Sequence, residues 1–518
     1  MVMDTGKCGY CGEINNNGQR KQPNRYYMSS DIGTEKLLYI ARGSVKVDRC
    51  PNLCYVDTID WSKIGAAKLY YRRPSNSKCE GCPRYCDEIL KLSEEIDTLF
   101  GRVFTCCRMS ILNVTQKPLV DNSITELEYH TYQPFINSNF DYNDDIRIAV
   151  QELDAYILPL QSLLYLEGEL TKADGTAVTT KNADGTTVTT LQLINNAFAF
   201  LFRELRYELN GVVVDSVRNV GLTSTLKGYP SFNENESSRL QNAGWFPKDT
   251  FISESGKFNV CIPLSMWMGF FEDYRKILLN MKQELVLIRS SYDLDAVVAT
   301  TTSEQPKIRI DKIQWRVPHV SVDIPQQLAL TKILNKNMEI PLYFRSWELV
   351  EYPSLPETTR HTWPVKTTTK LETPRHVILA FQTNKKQVST SNMSQFDHCR
   401  LTNIQVFLNS DRFPYNDLFL DFKNQKFALL YEIYSKFRSS YYESENEPLF
   451  SPKDFLSIAP ITHIDCSKQK ESIQSGSVVM RIEFETSENV PPETSAYCLI
   501  LHDRVFTYNP LTKIFKQR

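Results

Sequence analysis

Along most of this chain apolar side chains recur at every second position, the spacing that places them on one face of a β-strand. Ile146, Ile148 and Val150 alternate with Arg147 and Ala149, and Leu205, Tyr207 and Leu209 alternate with Arg206 and Glu208. Asn210-Gly211 follows directly. Asn-Gly readily takes the two positive φ angles of a type I′ turn, so a hairpin is predicted over 203–215. Phe258, Val260 and Ile262 predict another strand, and a Met- and Phe-rich crossing then leads to Leu285, Leu287 and Arg289. From Ile308 and Ile310 the alternation resumes one residue out of step at Ile313, Trp315 and Val317, which predicts a bulge at Asp311 and Lys312. The style continues through Tyr343, Arg345, Trp347 and Leu349, VILAFQT at 377–383, Ile404, Val406 and Leu408, Met480, Ile482 and Phe484, and AYCLIL at 496–501. Phe427, Leu430, Tyr431, Tyr434 and Phe437 step instead by three and four, the spacing of one helix packed across the end of a sandwich. The expected body is two antiparallel sandwiches, 109–320 and 321–518.

ADGTAVTT at 173–180 recurs as ADGTTVTT at 183–190, a tandem duplication with Asp-Gly turns that is expected to form an exposed loop, since loops tolerate such growth. With 518 residues the chain exceeds what one core organises, and 26 Tyr with 27 Phe supply large sheet cores. A formal net charge of -2 gives no overall field toward nucleic acid or an anionic membrane, so such contacts must be local. MVMDTGKCGYCGE lacks a basic-then-apolar leader, and no apolar run long enough to span a bilayer follows. The expectation is an intracellular, soluble protein with no membrane partner.

Cysteine usage divides the chain. Nine of 13 cysteines precede Met109, whereas all seven histidines follow it. Cys8-Gly-Tyr-Cys11-Gly has the form of a zinc knuckle, Cys50 and Cys54 offer a second pair, and Cys79, Cys82 and Cys86 a third cluster. In a reducing compartment disulfides are disfavoured, so a structural zinc held by Cys8, Cys11, Cys50 and Cys54 is expected; four thiolates leave no open position for a catalytic water. Residues 7–78 carry thirteen basic side chains against six acidic ones, interleaved with Tyr26, Tyr27, Tyr39, Tyr70 and Tyr71. That pattern suits either nucleic acid or the solvated face of a small zinc module. Residues 87–100 carry Ile89, Leu90, Leu92, Ile96 and Leu99 at helical spacing and predict a connecting helix, which completes a separate segment at 1–108.

Catalytic chemistry finds few seats in the body. Asp397-His398-Cys399 and His463-Ile-Asp465-Cys466 bring together residue types used in nucleophilic catalysis or metal binding, but both abut predicted strands, where buried Cys and hydrogen-bonded His are ordinary. His502-Asp503-Arg504 is read as a hydrogen-bonded turn at a strand end. Neither a GxxxxGK[ST] nor a GxGxxG motif occurs. The body is therefore expected to bind or build rather than to catalyse, with no small-molecule substrate.

Five stretches carry a resemblance: NNAFAFLFRELRYELNGVVVDSVRNVGLTS at 195–224, IPLSMWMGFFEDYRKILLNMKQELVLIRS at 262–290, FRSWELVEYP at 344–353, FDHCRLTNIQVFLNS at 396–410 and SAYCLILHDRVFTYNP at 495–510. They resemble the double jelly-roll-like domain family of invertebrate genomes, whose members look like major capsid proteins of the adenovirus and Polinton type. The resemblance covers roughly 109–518 and leaves the Cys-rich segment outside. It implies a mainly β fold of two consecutive eight-stranded jelly rolls, here preceded by a small Cys-rich α+β segment. It also implies a homotrimer that makes a pseudo-hexagonal capsomer, higher-order self-assembly, no catalytic residues, and a viral or endogenous mobile-element origin. The protein would then sit in a virion or at its assembly site in cytoplasm or nucleus. The alternative is a domesticated host oligomerisation or adaptor protein, with the zinc-bearing segment contacting nucleic acid or protein.

Overall fold

The computed structural model describes residues 2–4, 44–48, 68–72, 123–135, 140–150, 156–172, 174–176, 178, 191–251, 256–299, 306–366, 374–468 and 478–517. The chain divides into two units, Met1–Val120 and Asp121–Arg518. In the first, Val2–Asp4, Ser44–Asp48 and Lys68–Arg72 form a parallel sheet with Ser44–Asp48 in the middle. Cys8, Cys11, Cys50, Cys54, Cys79, Cys82 and Cys86, and the helix expected at 87–100, lie outside the described residues.

The second unit contains two eight-stranded sandwiches wound in the same order. The first comprises β1 (Ile124–Tyr132), β2 (Asp145–Val150), β3 (Leu163–Lys172), β4 (Phe202–Leu209), β5 (Val212–Arg218), β6 (Lys257–Pro263), β7 (Gln283–Arg289) and β8 (Pro306–Val322). The second comprises β9 (Ile340–Tyr352), β10 (Arg360–Val365), β11 (Pro374–Thr383), β12 (Leu401–Leu408), β13 (Asp411–Phe413), β14 (Thr462–Asp465), β15 (Met480–Thr486) and β16 (Thr494–Tyr508). Sheet orders are β1-β8-β3-β6 and β2-β7-β4-β5 in the first, β9-β16-β11-β14 and β10-β15-β12-β13 in the second. Consecutive strands switch sheets except at the β4–β5 and β12–β13 hairpins, which is the winding of a jelly roll. The expected double jelly roll is thus present, strand for strand.

Local chemistry explains where the alternation holds and where it breaks. In β2 Ile146 and Ile148 are buried while Asp145 and Arg147 face water. Asn210 and Gly211 take φ of 49° and 80° and close the predicted hairpin. The register of β8 against β3 slips between Ile310 and Lys312, as the phase jump predicts. A second slip, between Val213 and Asp215, was not expected; it leaves Val214 and Asp215 buried side by side. The run AYCLIL loses its alternation because β16 is a central strand covered on both faces, so Ala496 to Leu501 are all buried.

Three sequence expectations need correction. The helix expected over 427–437 is two helices that meet at Lys436. His502-Asp503-Arg504 lies within β16 and not at a turn. In the duplicated loop Asp174–Thr176 is exposed around Gly175 at φ 80°, but Val178 is buried beside β3, where its N–H donates to Leu170 O at 3.4 Å; the second copy lies outside the described residues.

Helices fill the connections: α1 (Val220–Ser231) and α2 (Glu234–Leu240) between β5 and β6, α3 (Gly269–Asp273) between β6 and β7, α4 (Ile324–Asn335) between the rolls, and α5 (Ala428–Ser435), α6 (Phe437–Tyr441) and α7 (Pro452–Ile458) between β13 and β14. β5, α1 and α3 of the first roll pack against β9 of the second, and α1 also reaches β11 and β16. Gly269 lets α3 approach: a Cβ there would stand 1.8 Å from the Arg345 carbonyl oxygen.

Candidate functional site: the seam between the rolls

The face where the two rolls meet holds a cluster of buried and half-buried charged and polar side chains. Lys227 on α1 is 2% exposed, and its Nζ donates to Glu272 Oε1 at 3.0 Å, Ser231 Oγ at 2.9 Å and the Tyr442 hydroxyl at 2.8 Å. The same ammonium lies 4.2 Å from the centre of the Tyr441 ring and 4.9 Å from that of Trp347. Burial pushes its pKa down, and Glu272 opposes that shift. Beside it Arg345 on β9 grips Asp273 with two nitrogens, Nη2 to Oδ1 at 2.6 Å and Nε to Oδ2 at 2.8 Å, and lies 3.6 Å over the Tyr441 ring. Burial works against the guanidinium charge, but the bonds to Asp273 win and hold its pKa above the ordinary value. The slipped register of β5 completes the set, because buried Asp215 accepts from Ser346 Oγ at 2.6 Å and from the Phe270 N–H at 3.0 Å. Buried ion pairs contribute geometry more than stability, so the cluster sets one relative placement of the two rolls.

A histidine pair adjoins this seam. His463 Nδ1 lies 3.4 Å from the Ile433 carbonyl, which can only accept, so Nδ1 carries the hydrogen. Nε2 is then left to accept from His376 Nδ1 at 3.1 Å. His376 also lies among the rings of Phe437 and Tyr441, with Asp465 Oδ1 3.8 Å from its Nδ1. Burial keeps both imidazoles neutral, lowering His376 well below the usual value and His463 to about 4.

The sequence-nominated chemistry does not come together. Asp397 is used by the Thr383 N–H at 2.8 Å and Lys385 Nζ at 2.9 Å, His398 stacks on Phe422 at 4.4 Å, and burial pushes the Cys399 thiol up to about 12. That thiol is a poor nucleophile at neutral pH. These residues line a cleft of about 470 Å³ but form no nucleophile–base relay. His463 belongs to the imidazole pair, whereas the buried Cys466 thiol is itself raised by desolvation and donates to the Ile464 carbonyl at 4.0 Å. Asp503 pairs with Arg375 at 2.5 Å. Among the described residues no group of three or more His, Cys, Asp or Glu is arranged to hold a metal, and no helix is long and apolar enough to cross a membrane. Lys227, Glu272, Asp273 and Arg345, by contrast, escaped the sequence reading. The available signal was Lys227 itself, a lone charge in VGLTSTLKGYPS, a helix without a polar face.

Comparison with known proteins places this architecture. The family model for the double jelly roll-like domain matches residues 191–506. The Faustovirus major capsid protein superposes with a TM-score of 0.51 at 10% identity, covering 78% of this chain and 93% of that one. The mavirus major capsid protein gives 0.47 at 11% identity, covering 79% and 93%. Among curated sequences, a putative molluscan insulin-related peptide receptor of Lymnaea stagnalis is 40% identical over 58 residues, which is 11% of this chain; the chain spans only 4% of that receptor's length.

Proposed function

The chain belongs to the double jelly roll-like domain family, and from that membership we propose that it is a capsid-like structural protein whose activity is self-association, three copies making one pseudo-hexagonal capsomer. The observation that carries this reading is the inequality of two equivalent surfaces. β9, the opening strand of the second roll, is covered by β5, α1 and α3 of the first. β1, its counterpart in the first roll, leaves Ile124, Leu127 and Tyr129 exposed. A second copy docking head to tail would cover β1 much as the first roll covers β9, and three such contacts close a ring of six rolls. A viral or endogenous mobile-element origin, and residence in a virion or at its assembly site, belong to the same proposal. So do a structural zinc on Cys8, Cys11, Cys50 and Cys54, and contact of the basic 7–78 stretch with nucleic acid.

Electron microscopy and native mass spectrometry of the purified full chain test the proposal. Trimers that pack into hexagonal arrays or shells are expected. A stable monomer would remove the reading, and discrete small oligomers without arrays would move it to the adaptor alternative. Zinc is measured separately by elemental analysis, where near-zero metal per mole argues against the cysteine site.

A further inference from the structure

A cleft of about 730 Å³ opens where the β5–β6 insertion of the first roll faces the β13–β14 insertion of the second. Phe232, Leu240 and Pro263 give it an apolar wall, and its charged lining consists of Arg239, Arg275, Arg438 and Glu236. The one carboxylate is already engaged. Glu236 Oε2 accepts from Arg438 Nη1 at 2.7 Å and from the Asn233 N–H at 2.9 Å, where it completes the capping box of α2. Arg239 on α2 and Arg275 on the β6–β7 crossing reach the same space from separate elements and form no ion pair among the described residues. Arg438 is 9% exposed, held through Nη1 by the Ser231 carbonyl, and its Nε has no hydrogen-bond partner.

Three guanidinium groups thus share one cleft with a single, committed carboxylate. Arg438 is held by its burial and by Glu236, which leaves the charges of Arg239 and Arg275 unmatched in the cleft among the described residues. A guanidinium presents a planar fork that matches carboxylate and phosphate oxygens, and an anion between these groups would relieve their mutual repulsion. We propose that this cleft binds an oxyanion, a carboxylate or phosphate, carried on a small apolar body that lies against Phe232, Leu240 and Pro263. The site is independent of shell formation and requires no chemistry on the ligand.

Titration calorimetry on the full chain tests it with octanoate and octyl phosphate, each below its micelle concentration, against octanol and inorganic phosphate as controls. One amphiphile or both should bind saturably at one site per chain, and the tighter of the two identifies the preferred oxyanion. Each control should bind at least about tenfold more weakly, because each lacks half of the recognised chemistry. The double variant Arg239→Glu with Arg275→Glu should weaken amphiphile binding by more than about tenfold. Its melting temperature and particle morphology should match the parent, since both side chains are exposed and form no ion pair among the described residues. No saturable binding of either amphiphile, octanol binding as tightly as octanoate, or unchanged affinity in the double variant would overturn the site. All three results leave the shell reading standing.

Discussion

β1 and β9 open the two rolls in the same way, each pairing antiparallel with the last strand of its sandwich, yet their surroundings are opposite. Ser346 and Trp347, adjacent in β9 and pointing to opposite faces, are both buried, whereas every residue of β1 from Ile124 to Tyr129 is exposed. The pairing is equivalent and the burial is not. The difference lies in the insertions: the first roll lays α1 and α3 over the second, and nothing among the described residues does the same for the first. Coverage by a neighbouring roll, more than strand pairing, therefore decides what a jelly-roll face is for, and the polar lock at the seam is what that coverage looks like when complete.

The largest effect should come from breaking the lock on the covered side. Lys227→Ala leaves the Glu272 carboxylate, 14% exposed, with the hydroxyls of Tyr441 and Tyr442 as donors, and is expected to cost about 3 kcal/mol in urea unfolding. On the open surface of the first roll, Lys307→Ala removes an exposed pair with Asp141 at 3.6 Å and should cost no more than about 1 kcal/mol. Similar costs for the two substitutions would erase the distinction between the faces. Next in size is Gly269→Ala. Its added Cβ meets the Arg345 backbone, which cannot swing aside, so a loss of about 1–3 kcal/mol is expected in the same assay.

Acid should weaken the covered side through the histidine pair. In the unfolded chain each imidazole takes a proton near pH 6.5, but in the folded protein burial delays this to about pH 4 for His463. The unfolded state then binds more protons across that window, so the contribution is complete above pH 6.5 and is lost as pH falls toward 4. Lys227 from α1 and Arg345 from β9 add to the resistance, while Asp465 from β14 opposes it. Between pH 7 and 5 the loss attributable to His463 should be about 2 kcal/mol, read from denaturation midpoints. His463→Gln keeps a donor and an acceptor but cannot titrate; a pH dependence as steep in that variant as in the parent would show that the pair is not responsible.

What could be read in advance follows from how far each feature reaches along the chain. The alternation in β2, β4, β6 and β15, the Asn210-Gly211 turn and the phase jump at Asp311 are local, and each was legible. The slip at Val214 was not, because Val212-Val213-Val214 is apolar at every position and conceals a change of phase. The seam was hidden for a different reason. Lys227, Glu272, Arg345 and Tyr441 lie far apart in sequence, and Arg345 in particular falls in phase with Tyr343, Trp347 and Leu349, where nothing local names its partner. Only the docking of the second roll on the first brings these charges together. The same reasoning applies to the cleft arginines, each unremarkable on its own element.

The smallest effect on stability, and the one that bears most directly on assembly, should come from the open side. Leu127→Lys with Tyr129→Lys places two charges on an edge strand whose side chains already face water, so the folding free energy should stay within about 0.5 kcal/mol of the parent. If β1 awaits a neighbouring copy, those lysines must be buried or stripped of water when the copies meet, and each would oppose the contact. Native mass spectra should therefore shift from trimer toward monomer while the melting temperature stays where it was. α4 offers a control on the same molecule, since Ile324 and Leu328 are 73% and 57% exposed on a linker helix that buries none of its own residues. Ile324→Ser with Leu328→Ser should alter neither stability nor the trimer if only the β1 face is used. An unchanged trimer in the β1 variant, or its loss in the α4 variant, would place the contact on the linker and take away the equivalence between β1 and β9.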